Sequence, residues 1–508
     1  MRRRWQLLVI PLIASIALYV RRIDRVHTGP DAGIFRGLVR NLREHASLTS
    51  PTDQYWIRLS PAETVERLGD IPVPDFGPLY PLAVALVPAP HDIAFLVVHV
   101  VAAFVAVWAV GVIADRATGS TLAACCAQII ALWGPFRPDL FFRHGRPLDV
   151  FGMIGSDGPA TAWWLAGFAA LTATTSHRAA AAALLSASTL TRYALAGPVA
   201  GLLAGLGWAR VRVGDRRWIV PAVAIAVPAV WQFVLYPLVI SGSGPKSLAL
   251  HRGDIGPLGQ TLAGWVDIDA SGRVAAAVVV LTVVALVAVA VVASPGGVVS
   301  LAAAAAAGQL VIVAAGRQFL DAGLNVREER HLLLTRFLVA MLLVIGVRQL
   351  VAALTRSVTW RRQAMAAAAP VLVLAAVVMA GGWPGPNALQ PRPDELAVES
   401  WLRDHGDLPV LSNNSEDWYV VTGIPAADLP RTIEASTFAT RDVDAELAEL
   451  AELTAGVGRV VQAYRPGFFE SVDLREVPCA AAGDTWAAPV DVLAGFELTV
   501  VDLSGCAR

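Results

Sequence analysis

The chain has 508 residues, of which 56% are hydrophobic and only 16% are charged. A soluble protein of this length carries roughly 25% charged residues, and the deficit here falls in alanine-, valine- and leucine-rich runs of membrane-spanning length, which excludes a purely soluble globular protein. The formal net charge is -1 and no basic patch is interleaved with aromatic residues, so the composition gives no reason to expect nucleic-acid binding.

Apolar runs predict about eleven membrane-spanning helices. The first run follows Arg2–Arg4 and is followed at once by Arg21 and Arg22, with no small-residue cleavage site. It is therefore interpreted as an uncleaved first span with a cytoplasmic N-terminus. In chain order the predicted spans are Trp5–Val20, Asp92–Ala114, Thr121–Gly134, Pro159–Thr175, Ala179–Leu190, Ala194–Trp208, Trp218–Ile240, Val274–Ala293, Val298–Ala315, Leu332–Leu350 and Ala364–Gly381.

The distribution of arginines predicts how these spans are oriented, because positive charge concentrates on the cytoplasmic side of a membrane. An odd number of spans places Arg2–Arg4, Arg210–Arg217 and Arg356–Arg362 inside. This arrangement requires the chain to turn at the outer face within Leu190–Tyr193. It places everything after the last span outside the cell.

The C-terminal quarter differs in composition from the rest of the chain. After the turn-forming run Trp383–Pro386, residues 383–508 are predicted to form an extracytoplasmic α/β domain, which follows a transmembrane domain of residues 1–382. The sequence leaves open whether Cys479 and Cys506, both in this domain, form a disulfide. Its helix-like segments are Asp394–Asp404 and Val443–Leu453, and its strand-like segments are Pro409–Ser412, Arg459–Ala463 and Leu498–Leu503.

Arginines also cluster in the predicted outer loops, where the same charge rule predicts few of them. Ionisable groups at such depth usually face a cavity or a bound anion, and a guanidinium matches two phosphate oxygens in a planar, bidentate way. We therefore predict a lipid-phosphate site at the outer face. The candidates are Arg143, Arg146, Arg192, Arg317, Arg327, Arg330 and Arg336.

The first outer loop carries the most informative motifs. It contains Gly29-Pro30-Asp31-Ala32-Gly33-Ile34-Phe35, then Asn41-Leu42, then Phe76-Gly77-Pro78-Leu79-Tyr80-Pro81-Leu82; Ser156-Asp157-Gly158-Pro159 and Leu190-Thr191-Arg192-Tyr193 follow later. In order and position this set resembles the GT-C fold glycosyltransferases, polytopic enzymes that use polyprenyl-phosphate sugars, over nearly the whole chain. The chain departs from their pattern at Ala32 of the usual acidic pair, at Gly77 of the usual Pro-Pro, and at Asp157, where glutamate is usual.

The resemblance implies an α-helical polytopic membrane protein of GT-C-like fold in the cytoplasmic membrane of a bacterium. It implies an inverting transferase that moves a sugar, such as mannose or arabinose, from a polyprenyl-phosphate donor to a cell-envelope glycan, glycolipid or protein. No cofactor is implied with certainty, and a divalent metal is left open. The implied site consists of Asp31 as catalytic base with Asp157 as second catalytic candidate, of Arg192, Arg327, Arg330 and Arg336 on the donor phosphate, and of Tyr80, Arg143 and His144 in the substrate loops.

Each of these residues also has a purely structural interpretation. Asp31 and Asp157 are favoured helix caps, Arg192 has a stem long enough to reach the membrane surface, and Arg327 and Arg330 have Glu328 and Glu329 beside them. No His/Cys spacing predicts a metal site. A lipid-linked glycan transporter or flippase, or a noncatalytic envelope assembly factor, remains an alternative function; the transporter predicts inverted halves with charges at the midplane, which the sequence does not show.

Overall fold

The fold was analysed in a computed structural model. The structure describes residues 5–22, 32–51, 65–66, 68–72, 77–133, 151, 155–173, 177–239, 255–264, 271–319, 332–354, 395–405, 408–430, 442–453, 458–464, 472–487 and 496–506. The chain divides into two compact units, each assembled from separate segments. The first comprises Met1–His27, Phe76–Ala83 and Asp92–Pro386, and the second comprises Thr28–Asp75, Val84–His91 and Asn387–Arg508.

The first unit is helical in the part of it that the structure describes. A helix occupies every predicted span except the last, Ala364–Gly381, which lies outside the described residues, so the predicted number of spans stays a prediction. Among the described residues of the first unit, the α-helices longer than ten residues are Gln6–Arg22, His91–Thr118, Thr121–Trp133, Asp157–Leu171, Arg178–Thr191, Ala196–Val213, Ile219–Val230, Gly272–Val292, Val298–Phe319 and Leu333–Leu354.

Several of these helices have the length and surface of membrane spans. Among the described residues, four helical stretches are long and apolar enough to cross a membrane: His91–Thr118, Tyr193–Val213, Gly272–Val292 and Val298–Gly316. On the helix Gly272–Val292, more than half of the surface of Leu281 and of Val284 is exposed. A row of exposed aliphatic side chains is stable against lipid and costly against water, so the chain is an integral membrane protein.

Small residues allow two of these helices to approach closely. The helix Ala196–Val213 packs on Val298–Phe319, and Gly201 lies directly against the backbone of Ala304. Gly308 likewise lies against the backbone of Gly197 and Gly201. The Gly201/Gly205 spacing therefore serves close helix packing, as such a spacing commonly does in membranes.

Two arginines bind the C-terminal end of the helix Asp157–Leu171. Arg116 donates to the Ala169 carbonyl, and Arg217 donates to the Leu171 carbonyl at 3.3 Å. Cations are favourable there because the last carbonyls of a helix have no intrahelical partner and carry partial negative charge. Burial by itself would raise the pKa of Asp215, but its hydrogen bonds from Arg217 outweigh burial and hold that pKa below its ordinary value.

The second unit contains the strands. A short antiparallel pair joins β1 (Thr49–Ser50) to β2 (Ile71–Pro72). A mixed sheet consists of β3 (Val410–Ser412), β4 (Ala427–Asp428), β5 (Arg459–Tyr464), β6 (Ala481–Ala487) and β7 (Glu497–Asp502). The strand order is β4-β3-β5-β7-β6, in which β3 is parallel to β4 and β5 while β7 is antiparallel to β5 and β6. The helices Glu395–Asp404, Ser415–Thr422 and Val443–Leu453 belong to the same unit.

The helix Ala32–His45, which begins one residue after Asp31, belongs to the same unit as this sheet. It packs against the helix Ser415–Thr422, and Arg40 donates to the Tyr419 hydroxyl at 3.5 Å. On its last turn Arg43 donates to four backbone carbonyls between residues 84 and 89, which fixes the chain where it enters the next span. The division between residues 382 and 383 stays a prediction, because it concerns a segment that the structure does not describe.

Cys479 and Cys506 form a disulfide, with their Cα atoms 4.9 Å apart. The bond joins the residues before the edge strand β6 to the short helix after β7. It closes a loop across both strands and so anchors that edge of the sheet.

Candidate active site

The best-defined polar cluster of the first unit lies at the N-terminus of the helix Asp157–Leu171. Asp157 is the first residue of this helix, and its carboxylate forms an ion pair with Arg192, with Oδ1 2.6 Å from Nε. Arg192 also donates from Nη1 to the Ser156 hydroxyl at 3.1 Å. A carboxylate is favoured at this end of a helix by the dipole, and the ion pair with the guanidinium compensates its charge where water is excluded.

Arg192 occupies the break between two helices. The helix Arg178–Thr191 ends there, Arg192 itself has extended backbone angles (φ -151°, ψ 112°), and the 3-10 turn Tyr193–Leu195 follows. The structure therefore has a break between helices within Leu190–Tyr193, and the turn at the outer face stays a prediction. The break presents the arginine side chain to Ser156 and Asp157.

Both charges of this pair are removed from solvent. The side chain of Asp157 is 7% exposed and that of Arg192 is 13% exposed. The structure thus brings together a residue predicted to be catalytic and a residue predicted to bind phosphate, and binds them to each other. The two residues are consequently coupled, because moving one partner uncovers the charge of the other.

The motif of the first outer loop reaches the same break. Gly77 lies against the backbone of Leu190 and Thr191, so closely that a Cβ atom at this position would collide with the Leu190 carbonyl. Gly77 stands where the family pattern has proline, and this contact gives a physical reason for the departure. The loop and the arginine turn are packed together as a result.

Tyr80 is buried inside the protein, and its predicted place in a substrate loop stays a prediction. It is 1% exposed, its hydroxyl is 2.7 Å from His99 Nε2, and it accepts the backbone N–H of Gly155 at 3.1 Å. The rings of Tyr80 and His99 meet edge to face at a centroid distance of 5.6 Å. Sequence reasoning singled out Tyr80 but missed His99, although an ionisable residue within an apolar span is itself a signal of function.

Arg336 is a buried cation, 4% exposed, near the start of the helix Leu333–Leu354. The neighbouring Phe337 packs its ring edge-on against Phe151 at 6.2 Å, and Phe151 in turn fills the space beside Gly158. This helix therefore passes the segment that leads into Asp157. A guanidinium placed in such apolar surroundings needs an acceptor for its hydrogen bonds.

The remaining site predictions cannot be placed. They lie outside the described residues: Asp31, Arg143, His144, Arg327 and Arg330. Within the part of the chain that the structure describes, no cluster of three or more His, Cys, Asp and Glu side chains could hold a metal ion.

Comparison with solved structures identifies the fold. The chain is similar to the crystal structure of ArnT from Cupriavidus metallidurans in the apo state, with a TM-score of 0.52 and 13% identity over 98% of both chains. It is equally similar to ArnT from the same organism bound to undecaprenyl phosphate, with a TM-score of 0.53 and 12% identity over 98% of both chains. This chain has a GT-C fold.

The GT-C fold confirms the predicted architecture at the level of the fold and no further. An identity of 12–13% over the whole length does not transfer individual residues. No protein-family model and no curated protein matches the sequence. The roles of the site residues must therefore be argued from their own geometry.

Proposed function

We propose that this protein is an inverting glycosyltransferase that moves a hexosyl or pentosyl group from a polyprenyl phosphate to a cell-envelope acceptor. The observation that carries the proposal is the GT-C fold, shared over 98% of both chains with a protein crystallised with undecaprenyl phosphate. Polyprenyl-phosphate mannose and arabinose are the first donors to test. The protein acts at the outer face of the bacterial cytoplasmic membrane, with its N-terminus inside and residues 383–508 outside.

The reaction needs a base and a site for an anionic leaving group. An acceptor hydroxyl attacks the anomeric carbon, the bond between that carbon and the phosphate oxygen breaks, and the lipid phosphate leaves with the electron pair. Asp31, which directly precedes the helix Ala32–His45, takes the hydroxyl proton. A phosphate leaves readily, so no dedicated acid is required to protonate it.

Arginines stabilise the charge that develops on the leaving phosphate. Preorganised cations in a water-poor site do this without reorganising during the reaction. Arg192 is preorganised by its contacts to Asp157 and Ser156, and Arg336 is buried on the neighbouring helix. Arg327 and Arg330 supply the remaining positive charge in this proposal, while Tyr80 supports the site from inside the protein.

The proposal is tested by a transfer assay on full-length protein in lipid nanodiscs. Radiolabelled polyprenyl-phosphate sugars are offered with a cell-envelope extract as acceptor. We expect the wild type to transfer the labelled sugar and the Asp31→Asn variant to transfer it about 10²–10⁴-fold more slowly, which is the usual contribution of a general base. Binding of undecaprenyl phosphate alone, measured as a thermal shift, should persist in the variant.

Asp404→Asn is the matched control, because this carboxylate is exposed at the end of a helix in the second unit. It should transfer like the wild type. Equal activity of Asp31→Asn and wild type would assign the base elsewhere. Absence of transfer from every donor, together with movement of labelled lipid across proteoliposomes, would establish a transporter instead.

A further inference from the structure

Tyr80 and His99 form a buried polar pair that the proposed reaction does not itself use. The hydroxyl and Nε2 are 2.7 Å apart, and the two residues are 1% and 2% exposed. Tyr80 lies on the helix Leu79–Ala85, and His99 lies within the membrane-spanning helix His91–Thr118. Burying both polar groups in an apolar region is costly unless they satisfy each other and their neighbours.

The contacts of the pair fix the chain immediately before the helix Asp157–Leu171. The Tyr80 hydroxyl accepts the N–H of Gly155 at 3.1 Å. The same hydroxyl lies 2.7 Å from His99 Nε2, so His99 fixes the position of the Tyr80 side chain. The pair therefore binds a backbone group of the residue that leads into Ser156 and Asp157.

This segment carries the two groups that orient Arg192. Gly155 is followed directly by Ser156, whose hydroxyl accepts from Arg192 at 3.1 Å, and by Asp157, which forms an ion pair with Arg192 at 2.6 Å. A displacement of the Gly155 backbone would move both groups together. A shift of about 1 Å in a group that positions reactants is enough to reduce a rate about 10²-fold.

We propose that Tyr80 and His99 are positioning residues, which hold Gly155 so that Ser156 and Asp157 orient Arg192 toward the phosphate of the donor. This inference rests on the proposed function, since it assigns Arg192 a task in that reaction. In this proposal Tyr80 does not touch the substrate. It holds Gly155, the residues after Gly155 hold Arg192, and Arg192 contacts the phosphate.

The test compares the pair with a variant that weakens the same helix without touching the pair. Tyr80→Phe removes the hydroxyl, His99→Leu removes the ring nitrogens, and His99→Gln keeps an amide able to bond to Tyr80. Val110→Ala opens a cavity at a fully buried position of the helix His91–Thr118 and serves as the control for lost stability. For each full-length variant, kcat per folded protein and the KM for a polyprenyl-phosphate sugar are measured.

We expect Tyr80→Phe and His99→Leu to lower kcat at least about tenfold with a nearly unchanged KM, since the loss falls on transition-state stabilisation. His99→Gln should recover most of this loss, and Val110→Ala should retain the wild-type kcat per folded protein. When Tyr80→Phe is added to Arg192→Lys, we expect kcat to fall by less than about a further twofold. The effects of residues that act through one another are not additive.

A wild-type kcat in Tyr80→Phe, with only a lowered melting temperature, would overturn the inference and leave the proposed function intact. Full additivity with Arg192→Lys would also overturn it, by showing that Tyr80 acts independently of the arginine. Failure of the proposed function looks different, because the wild type itself would then transfer no sugar from any donor. That outcome would overturn this inference as well.

Discussion

Asp157 and Arg192 neutralise each other where neither charge is readily solvated. Their side chains are 7% and 13% exposed, and the Nε–Oδ1 distance is 2.6 Å. Removing one partner of such a pair leaves an uncompensated buried charge, whereas replacing both by apolar groups of similar volume is often neutral. Mutation of this pair can therefore separate its effect on stability from its proposed role in catalysis.

We predict that Arg192→Met and Asp157→Leu each lower the free energy of unfolding by about 3–5 kcal/mol, and that the double variant recovers most of it while remaining inactive. The recovery follows because no charge is then left buried alone. Thermal unfolding of purified protein together with the transfer assay measures both effects. The control is Glu44→Ala, which removes the half-exposed ion pair between Arg40 and Glu44 and should cost less than about 1 kcal/mol. A double variant as unstable as the single ones, or an active one, would contradict the prediction.

The contact between these two residues also shows what the sequence alone does not contain. The sequence predicted Asp157 as a catalytic candidate and Arg192 as a phosphate-binding residue, and did not predict that they form an ion pair. The ion pair depends on how the helices Asp157–Leu171 and Arg178–Thr191 pack, which no local pattern specifies. The contact of His99 with Tyr80 was missed for the same reason, since the two residues are nineteen positions apart in the chain.

At the scale of elements, apolar runs predicted the helices of the first unit, and single small residues decide how they pack. Gly201 illustrates this, because its backbone lies against that of Ala304 on the helix Val298–Phe319. Gly207 lies on the same helix as Gly201, and a Cβ atom there would have nothing within 4 Å. The two glycines therefore provide a matched comparison.

We predict that Gly201→Ala lowers the melting temperature, because its methyl group forces two helix backbones apart, at a cost of about 1–3 kcal/mol for overpacking. Gly207→Ala should be neutral or stabilising by up to about 1 kcal/mol, since alanine is the better helix former. Thermal unfolding of both variants in the same detergent measures the difference. Equal melting temperatures would show that the close contact of Gly201 does not determine the packing of these helices.

Elements of the second unit were predicted where their residues favour them. The helix Val443–Leu453 has its predicted bounds, and β5 is one residue longer than predicted. Strand β6, in contrast, was missed because it consists largely of alanine, glycine and aspartate, which are depleted in strands. It forms by pairing with β7 at the edge of the sheet, and so depends on tertiary structure.

For the molecule as a whole, the second unit constrains the path of the chain through the membrane, because it is assembled from segments that are far apart in the sequence. The segment Thr28–Asp75 and the segment Asn387–Arg508 form one compact unit, joined by contacts such as Arg40 to Tyr419. Both segments must therefore lie on the same side of the membrane. Between residues 91 and 387 the chain has to cross an even number of times, a requirement that the spans predicted after the first outer loop satisfy.

Which side this is can be determined from the disulfide between Cys479 and Cys506, because disulfides persist in oxidising compartments and are rare in the cytoplasm. The test uses a Cys125→Ser/Cys126→Ser double variant, in which Cys479 and Cys506 are the remaining cysteines. We predict that maleimide does not label this protein when it is taken from cells and unfolded without a reductant, and that it labels both cysteines after reduction. In that background Cys506→Ser frees the exposed Cys479, which a membrane-impermeant maleimide should label on intact cells. Breaking the bond, which closes a loop with a sequence separation of 27, should also lower the free energy of unfolding by about 3.5 kcal/mol in the chain-entropy model. Free thiols in the wild-type tail, labelled only after the cells are permeabilised, would instead place the second unit in the cytoplasm and contradict transfer at the outer face.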